Sequence, residues 1–168
     1  GLTVHWTHFP LHPDTPYSGI LLEELFRERG YDIEAMRQRM SALMTEENLA
    51  YGIRSHTYNS RLAQELAKWG ESFPEGEALN LKLFEAYFAE GRNLAEPVVL
   101  LDVAEVAGLP LETAEEVIRQ RSFRDAVDSD WKRAHELGVT GVPTFVSGNR
   151  GLVGAQPYEA MVQLIQLD

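Results

Sequence analysis

GVTGVPTFVSG, residues Gly138–Gly148, combines a glycine-bounded loop with the apolar run Pro143–Val146. The β-branched and aromatic residues of this run predict a β-strand. Proline has no backbone N–H to donate, so it fits only at a sheet edge, at a strand start or in a special peptide bond. Because only about 5–6% of X-Pro bonds are cis, the residues alone favour a trans Val142–Pro143 bond. The stretch therefore predicts a strand that begins at Pro143.

The rest of the chain shows two kinds of hydrophobic pattern. After the first strand, GNRG (148–151) predicts a turn, LVG (152–154) a short strand and QPYEAMVQLIQL (156–167) a helix. Near the start, LTVHWTHF (2–9) alternates with a period of two and predicts another strand. Residues 20–136 are almost entirely helical in spacing. The chain is therefore predicted to be an α/β protein whose sheet segments, 1–19 and 137–168, are split by an all-helical insertion at 20–136.

Composition excludes several classes of function. The chain has 168 residues, of which 44% are hydrophobic, as is ordinary for a globular domain. Its net charge of −11 argues against binding to nucleic acid or to an anionic membrane. No apolar run approaches the about 18 residues needed to span a bilayer. The absence of cysteine excludes a disulfide framework and a thiolate metal site within these residues.

Three histidines near the start of the chain raise the question of a metal site. His5 and His8 point to opposite faces of a strand, since their spacing is odd, and His12 lies beyond Pro10. No cysteine is present to complete a tetrahedral set. We therefore expect half-buried or surface histidines and no metal.

Several segments together resemble one family. GVTGVPTFV with GLVGAQPYEAMVQLI resembles the C-terminal end of the DsbA-like thioredoxin superfamily, and the chain is most similar to its FrnE-type dithiol-disulfide oxidoreductases. VHWTHFPLHPDTP resembles the second strand and proline-rich loop of that branch. NSRLAQELAKWGE, LFEAYFAEGRNL and LLDVAEVAGL resemble parts of its helical insertion. The resemblance implies a thioredoxin-like fold, incomplete at its N-terminus, with a large helical insertion domain.

The resemblance also implies what these residues lack. The family's first strand, its Cys-x-x-Cys turn and the helix behind that turn have no counterpart here, so the catalytic dithiol is expected upstream of Gly1. Since a thiolate is the nucleophile of disulfide exchange, the cysteine-free chain alone is expected to be inactive. If the place of that strand is kept, the two flanking strands should lie about 10 Å apart, twice the usual spacing.

Site residues follow from the same resemblance, with no catalytic residue in this chain. The family keeps a cis-proline at the start of this strand, which implies that Pro143 fixes the turn and that Val142 offers its backbone to an extended substrate. Thr140 and Gly141 would let the loop approach that substrate closely. His8 ends the strand that approaches the active-site side in the family. Asn59 opens a helix that faces the catalytic groove there, and it also suits a helix N-cap.

Three functions remain open at this point. The first is a thiol-disulfide oxidoreductase or isomerase of the DsbA/FrnE type, acting on a protein or small-molecule disulfide without a cofactor. The second is a glutathione-dependent isomerase or kappa-type transferase on the same architecture, with glutathione as its cofactor. The third is a non-catalytic thioredoxin-like binding module. We expect a cytoplasmic rather than periplasmic location, and a large apolar helical face allows a homodimer.

Overall fold

The computed structural model describes residues 2–27, 30 and 32–166. Contacts divide the chain into a terminal unit, which contains 2–11 and residues from 128 onward, and a helical unit, which contains 12–127. The domain boundaries predicted after residues 19 and 136 stay a prediction. The elements in chain order are β1 (Ile20–Leu21), α1 (Leu22–Arg27), α2 (Ile33–Glu46), β2 (His56–Thr57), α3 (Arg61–Gly70), α4 (Gly76–Phe88), α5 (Pro97–Val106), α6 (Leu111–Gln120), α7 (Arg124–Glu136), β3 (Thr144–Ser147), β4 (Arg150–Val153) and α8 (Tyr158–Gln166).

The C-terminal hairpin of the terminal unit matches the prediction from the sequence. β3 pairs antiparallel with β4 from Thr144 opposite Val153 to Ser147 opposite Arg150. The two residues between the strands begin with Gly148, whose φ of +55° lies in the left-handed region that glycine adopts at little cost. α8 follows and packs its buried Leu164 in this unit.

The prediction of a strand at residues 2–9 is wrong. These residues adopt no regular secondary structure, and Leu2, Val4 and Trp6 are exposed. A strand exists only where a neighbouring backbone completes its ladder of hydrogen bonds. In the described ranges, β3 pairs with β4 alone, and no strand lies beside residues 2–9. The alternating pattern therefore has no sheet to join here.

The helical unit holds most of the buried apolar surface. α3 to α6 pack around a core in which Leu66, Leu79 and Leu100 are fully buried. α5 begins with Pro97 in its first turn, as predicted, where the missing N–H would have no intrahelical partner. The short β1–β2 pair, Ile20–Leu21 with His56–Thr57, was not predicted, because two-residue strands carry no periodicity.

A buried carboxylate links three segments of the helical unit. Both Glu65 oxygens are bonded: Arg61 Nε donates to Oε1 at 2.7 Å, and Arg121 donates from Nε and Nη2 at 2.6 and 2.7 Å. Arg121 is the C-cap residue of α6. Arg61 also donates to the carbonyl of Arg124 at 2.8 Å. Burial raises the pKa of Glu65, but the hydrogen bonds and charges of the two arginines outweigh it, so the net pKa is lowered.

Candidate functional site

The loop before β3 is fixed on both sides of Val142. The Val142–Pro143 peptide bond is cis. On the N-terminal side, the Thr144 hydroxyl donates to the Gly141 carbonyl at 2.7 Å. On the C-terminal side, the Gly154 N–H donates to the Pro143 carbonyl at 2.7 Å. Two short hydrogen bonds therefore hold the backbone around Val142 in one arrangement.

Val142 itself is left available by this arrangement. The residue is 48% exposed, and across the described residues its N–H and C=O form no hydrogen bond. Beyond it, Phe145 and Val146 of β3 are also exposed. An unbonded backbone donor and acceptor in an exposed residue before a strand, next to apolar side chains, are the features used in β-strand addition of a peptide. The geometry can therefore hold an extended chain by its backbone.

Gly141 and Thr140 leave the approach to Val142 open. Both lie at the surface or close to it. A Cβ atom built on Gly141 would meet no described atom within 4 Å, so the space beside this residue is free for another molecule. The backbone φ of Gly141 is not in the left-handed region, and glycine is therefore not needed for the conformation. Its small size matters only if something lies against it.

His8 belongs to the same unit as this loop. Its side chain is half-buried, and its backbone N–H donates to Asp130 Oδ2 of α7 at 3.1 Å. This bond ties the segment that was predicted as a strand to a helix rather than to a sheet. The predicted role of His8 in substrate binding stays a prediction.

Asn59 lies in the helical unit and ties a loop to a helix. Its Nδ2 donates to the carbonyls of Thr15 at 2.8 Å and Pro13 at 3.3 Å, while its Oδ1 accepts from the Arg61 N–H at 2.9 Å. The N-cap position of α3 is Ser60, one residue later, so Asn59 bonds the first N–H of the helix from outside the cap position. The structure thus brings Thr140, Gly141, Val142 and Pro143 together in one loop, and it gives Asn59 a structural task in the other unit.

Two residues that hold the loop were not among the candidate residues. Thr144 and Gly154 supply the hydrogen bonds on either side of Val142. The sequence carried a signal for the first, because a threonine hydroxyl often bonds a backbone carbonyl three residues earlier. Gly154 gave no comparable signal, since its bond depends on the hairpin register.

Comparison with known proteins identifies the fold that this loop belongs to. Residues 1–166 match the DSBA-like thioredoxin domain. The chain belongs to the DSBA-like thioredoxin family. Its predicted α/β thioredoxin-like fold with a helical insertion is thereby confirmed.

Two relatives show how much of a DSBA-like protein the chain spans. It is similar to the crystal structure of a probable DsbA oxidoreductase from Streptomyces coelicolor, with a TM-score of 0.83 and 28% identity over 91% of this chain and 69% of that one. It is also 27% identical to YwbO, an uncharacterised protein of Bacillus subtilis (strain 168), over 124 residues. These residues cover 73% of this chain and 60% of YwbO. The chain therefore spans about 60% of the length of its curated relative.

The described residues show neither a metal-binding cluster nor a membrane-spanning helix. Across 2–27, 30 and 32–166, no group of three or more histidine or carboxylate side chains is placed to hold a metal ion. None of the helices in that part of the DSBA-like chain has the length and apolar character needed to cross a bilayer. The loop at residues 140–143 is therefore the candidate functional site.

Proposed function

We propose that the chain is the substrate-docking part of a thiol-disulfide oxidoreductase of the DsbA type, in its FrnE-like dithiol branch. The observation that carries this proposal is the exposed residue Val142, whose backbone donor and acceptor are unbonded among the described residues. Membership of the DSBA-like thioredoxin family and similarity to a probable DsbA oxidoreductase support it. An extended substrate pairs with Val142 and lies against Gly141.

The reactive dithiol, in this proposal, is supplied by residues upstream of Gly1. The chain has no cysteine, and no other side chain replaces a thiolate in disulfide exchange. Its coverage of about 60% of the curated relative is consistent with a further segment. One upstream thiolate attacks a substrate sulfur, a mixed disulfide forms, and the second substrate sulfur leaves as a thiolate. The second upstream cysteine then attacks the mixed disulfide and releases the reduced substrate.

Docking is tested first, on the chain itself. A peptide with an internal disulfide is titrated into labelled protein, and the backbone amide shifts of Thr140, Gly141 and Thr144 are followed by NMR. Val142→Pro removes the N–H and is expected to weaken binding at least about tenfold. Val142→Ala keeps the N–H and is the matched control, with a change below about threefold. Equal affinity of the two variants would remove Val142 from the docking site.

Catalysis is tested on the protein extended through the residues that precede Gly1 in its gene. Reduction of insulin by dithiothreitol should be accelerated, and replacing both cysteines of an upstream Cys-x-x-Cys by serine should abolish the acceleration. A single upstream serine or cysteine that activates glutathione would instead support the isomerase or kappa-type transferase. Binding without either chemistry would leave a non-catalytic module.

A further inference from the structure

A cleft of about 670 Å³ lies in the helical unit, lined by residues of α2 and by residues 51–53, which follow α2 in the chain. Its volume falls within the range of about 300–1,000 Å³ that is common for ligand-binding clefts. The proposed docking of a disulfide at residues 140–143 uses none of its lining residues. We call it the α2 cleft.

One wall of the α2 cleft is formed in part by protein backbone. Gly52 is a lining residue and has no side chain, so the atoms it contributes are backbone atoms. Its N–H donates to the carbonyl of Phe88, at the end of α4, at 2.9 Å. The Tyr51–Gly52 peptide bond is trans, so the Tyr51 carbonyl points the opposite way from that N–H. This carbonyl therefore points away from the Phe88 carbonyl.

Three neighbouring backbone groups of this wall have no hydrogen-bond partner among the described residues. They are the carbonyls of Tyr51 and Gly52 and the N–H of Ile53. Ile53 also carries an apolar side chain and is 80% exposed. Unbonded donors and acceptors in consecutive residues, next to an apolar side chain, are the features that an extended peptide uses when it pairs with a chain by its backbone.

The charged side chains of the α2 cleft leave one negative charge without a partner. Glu34 is paired with Arg37 at 2.5 Å and also accepts from Gln38 Nε2 at 2.9 Å. Glu46 also lines the cleft, and within the described ranges it forms no ion pair. α2 ends at Glu46, so the negative end of the helix dipole adds to the charge of this carboxylate. The cleft therefore favours a ligand with a positive charge.

We infer that the α2 cleft binds an extended peptide segment that carries a lysine or arginine. The peptide backbone pairs with residues 51–53, its basic side chain meets Glu46, and an apolar side chain contacts Ile53. A free amine would compensate the charge of Glu46 but would leave the backbone groups unbonded, whereas an acidic peptide would place two negative charges together. This binding goes beyond the proposed oxidoreductase function and does not depend on it.

Peptide titrations followed by NMR test the inference on the chain itself. The probe is an acetylated and amidated pentapeptide of valine and threonine with a central lysine, and the amide shifts of Gly52 and Ile53 report binding. Because the contact spans only three residues of the protein backbone, we expect a Kd on the order of 100 μM to 1 mM. The same peptide with a central glutamate should bind at least about fivefold more weakly.

Two modified ligands test the use of the peptide backbone. n-Butylamine supplies the charge of lysine without a backbone and should leave the Ile53 amide unshifted. In an extended strand, only every second residue turns its N–H toward a given neighbour. N-methylation of the lysine and of the following valine, in separate peptides, should therefore change the Kd to extents that differ at least about fivefold. Equal affinity of the two methylated peptides, or an equal Ile53 shift by n-butylamine, contradicts backbone pairing.

Substitution of Glu46 tests the charge. Glu46→Gln should raise the Kd of the lysine peptide about three- to fivefold, as expected for an exposed ion pair. Glu47→Gln is the matched control, since Glu47 is the next residue, is exposed and lies outside the lining, and it should change the Kd less than about twofold. A Glu46→Gln variant that binds as tightly as the wild type, or equal affinity for the lysine and glutamate peptides, overturns the inference.

Discussion

Replacing Glu65 by glutamine should destabilise the helical unit by about 3 kcal/mol at pH 7. The carboxylate is 2% exposed and receives three N–H donors from Arg61 and Arg121. Glutamine has nearly the same shape, so the change removes the negative charge and one acceptor without opening a cavity. Both arginines would then remain beside a neutral group.

The magnitude follows from the exposure of the arginines. Removing one partner of a fully buried ion pair costs about 3–5 kcal/mol, because the remaining charge is left without compensation. The side chains of Arg61 and Arg121 are 14% and 35% exposed, so water solvates part of their charge after the substitution. The amide oxygen of glutamine also keeps one hydrogen bond. These two effects place the expected loss at the lower end of the range.

The pH dependence of the unfolding free energy separates the effect of the Glu65 charge from other effects of the substitution. The folded-state pKa of Glu65 is lowered, so its stabilising contribution is present above the unfolded pKa of about 4.3 and is lost as the pH falls through the folded pKa. The difference in unfolding free energy between the wild type and Glu65→Gln should therefore be constant from pH 7 to about 5 and shrink below about pH 4. Urea denaturation followed by circular dichroism at pH 7, 5 and 3.5 measures it.

A matched variant separates burial from charge. Glu85→Gln removes the same charge from an exposed pair with Lys82, whose side chains are 44% and 43% exposed, and should cost less than about 1 kcal/mol. Native-state hydrogen exchange at the fully buried Leu66 gives a second reading in the same core. A Glu65→Gln loss no larger than that of Glu85→Gln, or one that is as large at pH 3.5 as at pH 7, would refute the reasoning.

Three further substitutions test other parts of the structure. Gly52→Ala puts a Cβ 1.9 Å from the carbonyl oxygen of Ala89, so a thermal melt should show Tm lowered by more than about 5 °C. Asn59→Asp keeps the acceptor for the Arg61 N–H but loses both donors to the loop, and urea denaturation should show a loss of about 1–2 kcal/mol. Gly141→Ala should leave Tm within about 2 °C yet weaken peptide binding at least about fivefold in the NMR titration; unchanged binding would show that nothing approaches this residue.

The sequence predicts those elements that are specified by their own residues. The β3–β4 hairpin is predicted because apolar runs flank a glycine that the turn needs, and α5 because Pro97 and Gly108 mark its ends. Residues 2–9 show that an alternating pattern alone does not form a strand. Their alternation specifies how side chains would be arranged in a strand, but the hydrogen bonds of a strand come from another segment.

The candidate site was predictable to a similar extent. Residues 140–143 lie in one loop because they are consecutive, whereas the bond from Gly154 depends on the pairing of two strands. The sequence carries a weak signal for the burial of Glu65, because this residue lies on the same side of the helix as the buried Leu62, Leu66 and Trp69. A carboxylate in an apolar stripe indicates a buried ion pair, but the arginine at position 121 is far away in sequence, so only the fold identifies it.

The two units place different demands on their residues. In the terminal unit, Ala134 and Leu164 are the buried apolar residues among those described, and Phe145 and Val146 remain exposed on β3. The helical unit buries Leu66, Leu79 and Leu100 fully and neutralises the buried carboxylate of Glu65 with two arginines. A substitution in the helical unit therefore changes the free energy of unfolding first, because close packing and charge pairing leave no room for adjustment. The N–H and C=O of Val142 and the space beside Gly141 are unused by the described residues, so a substitution there acts on what binds.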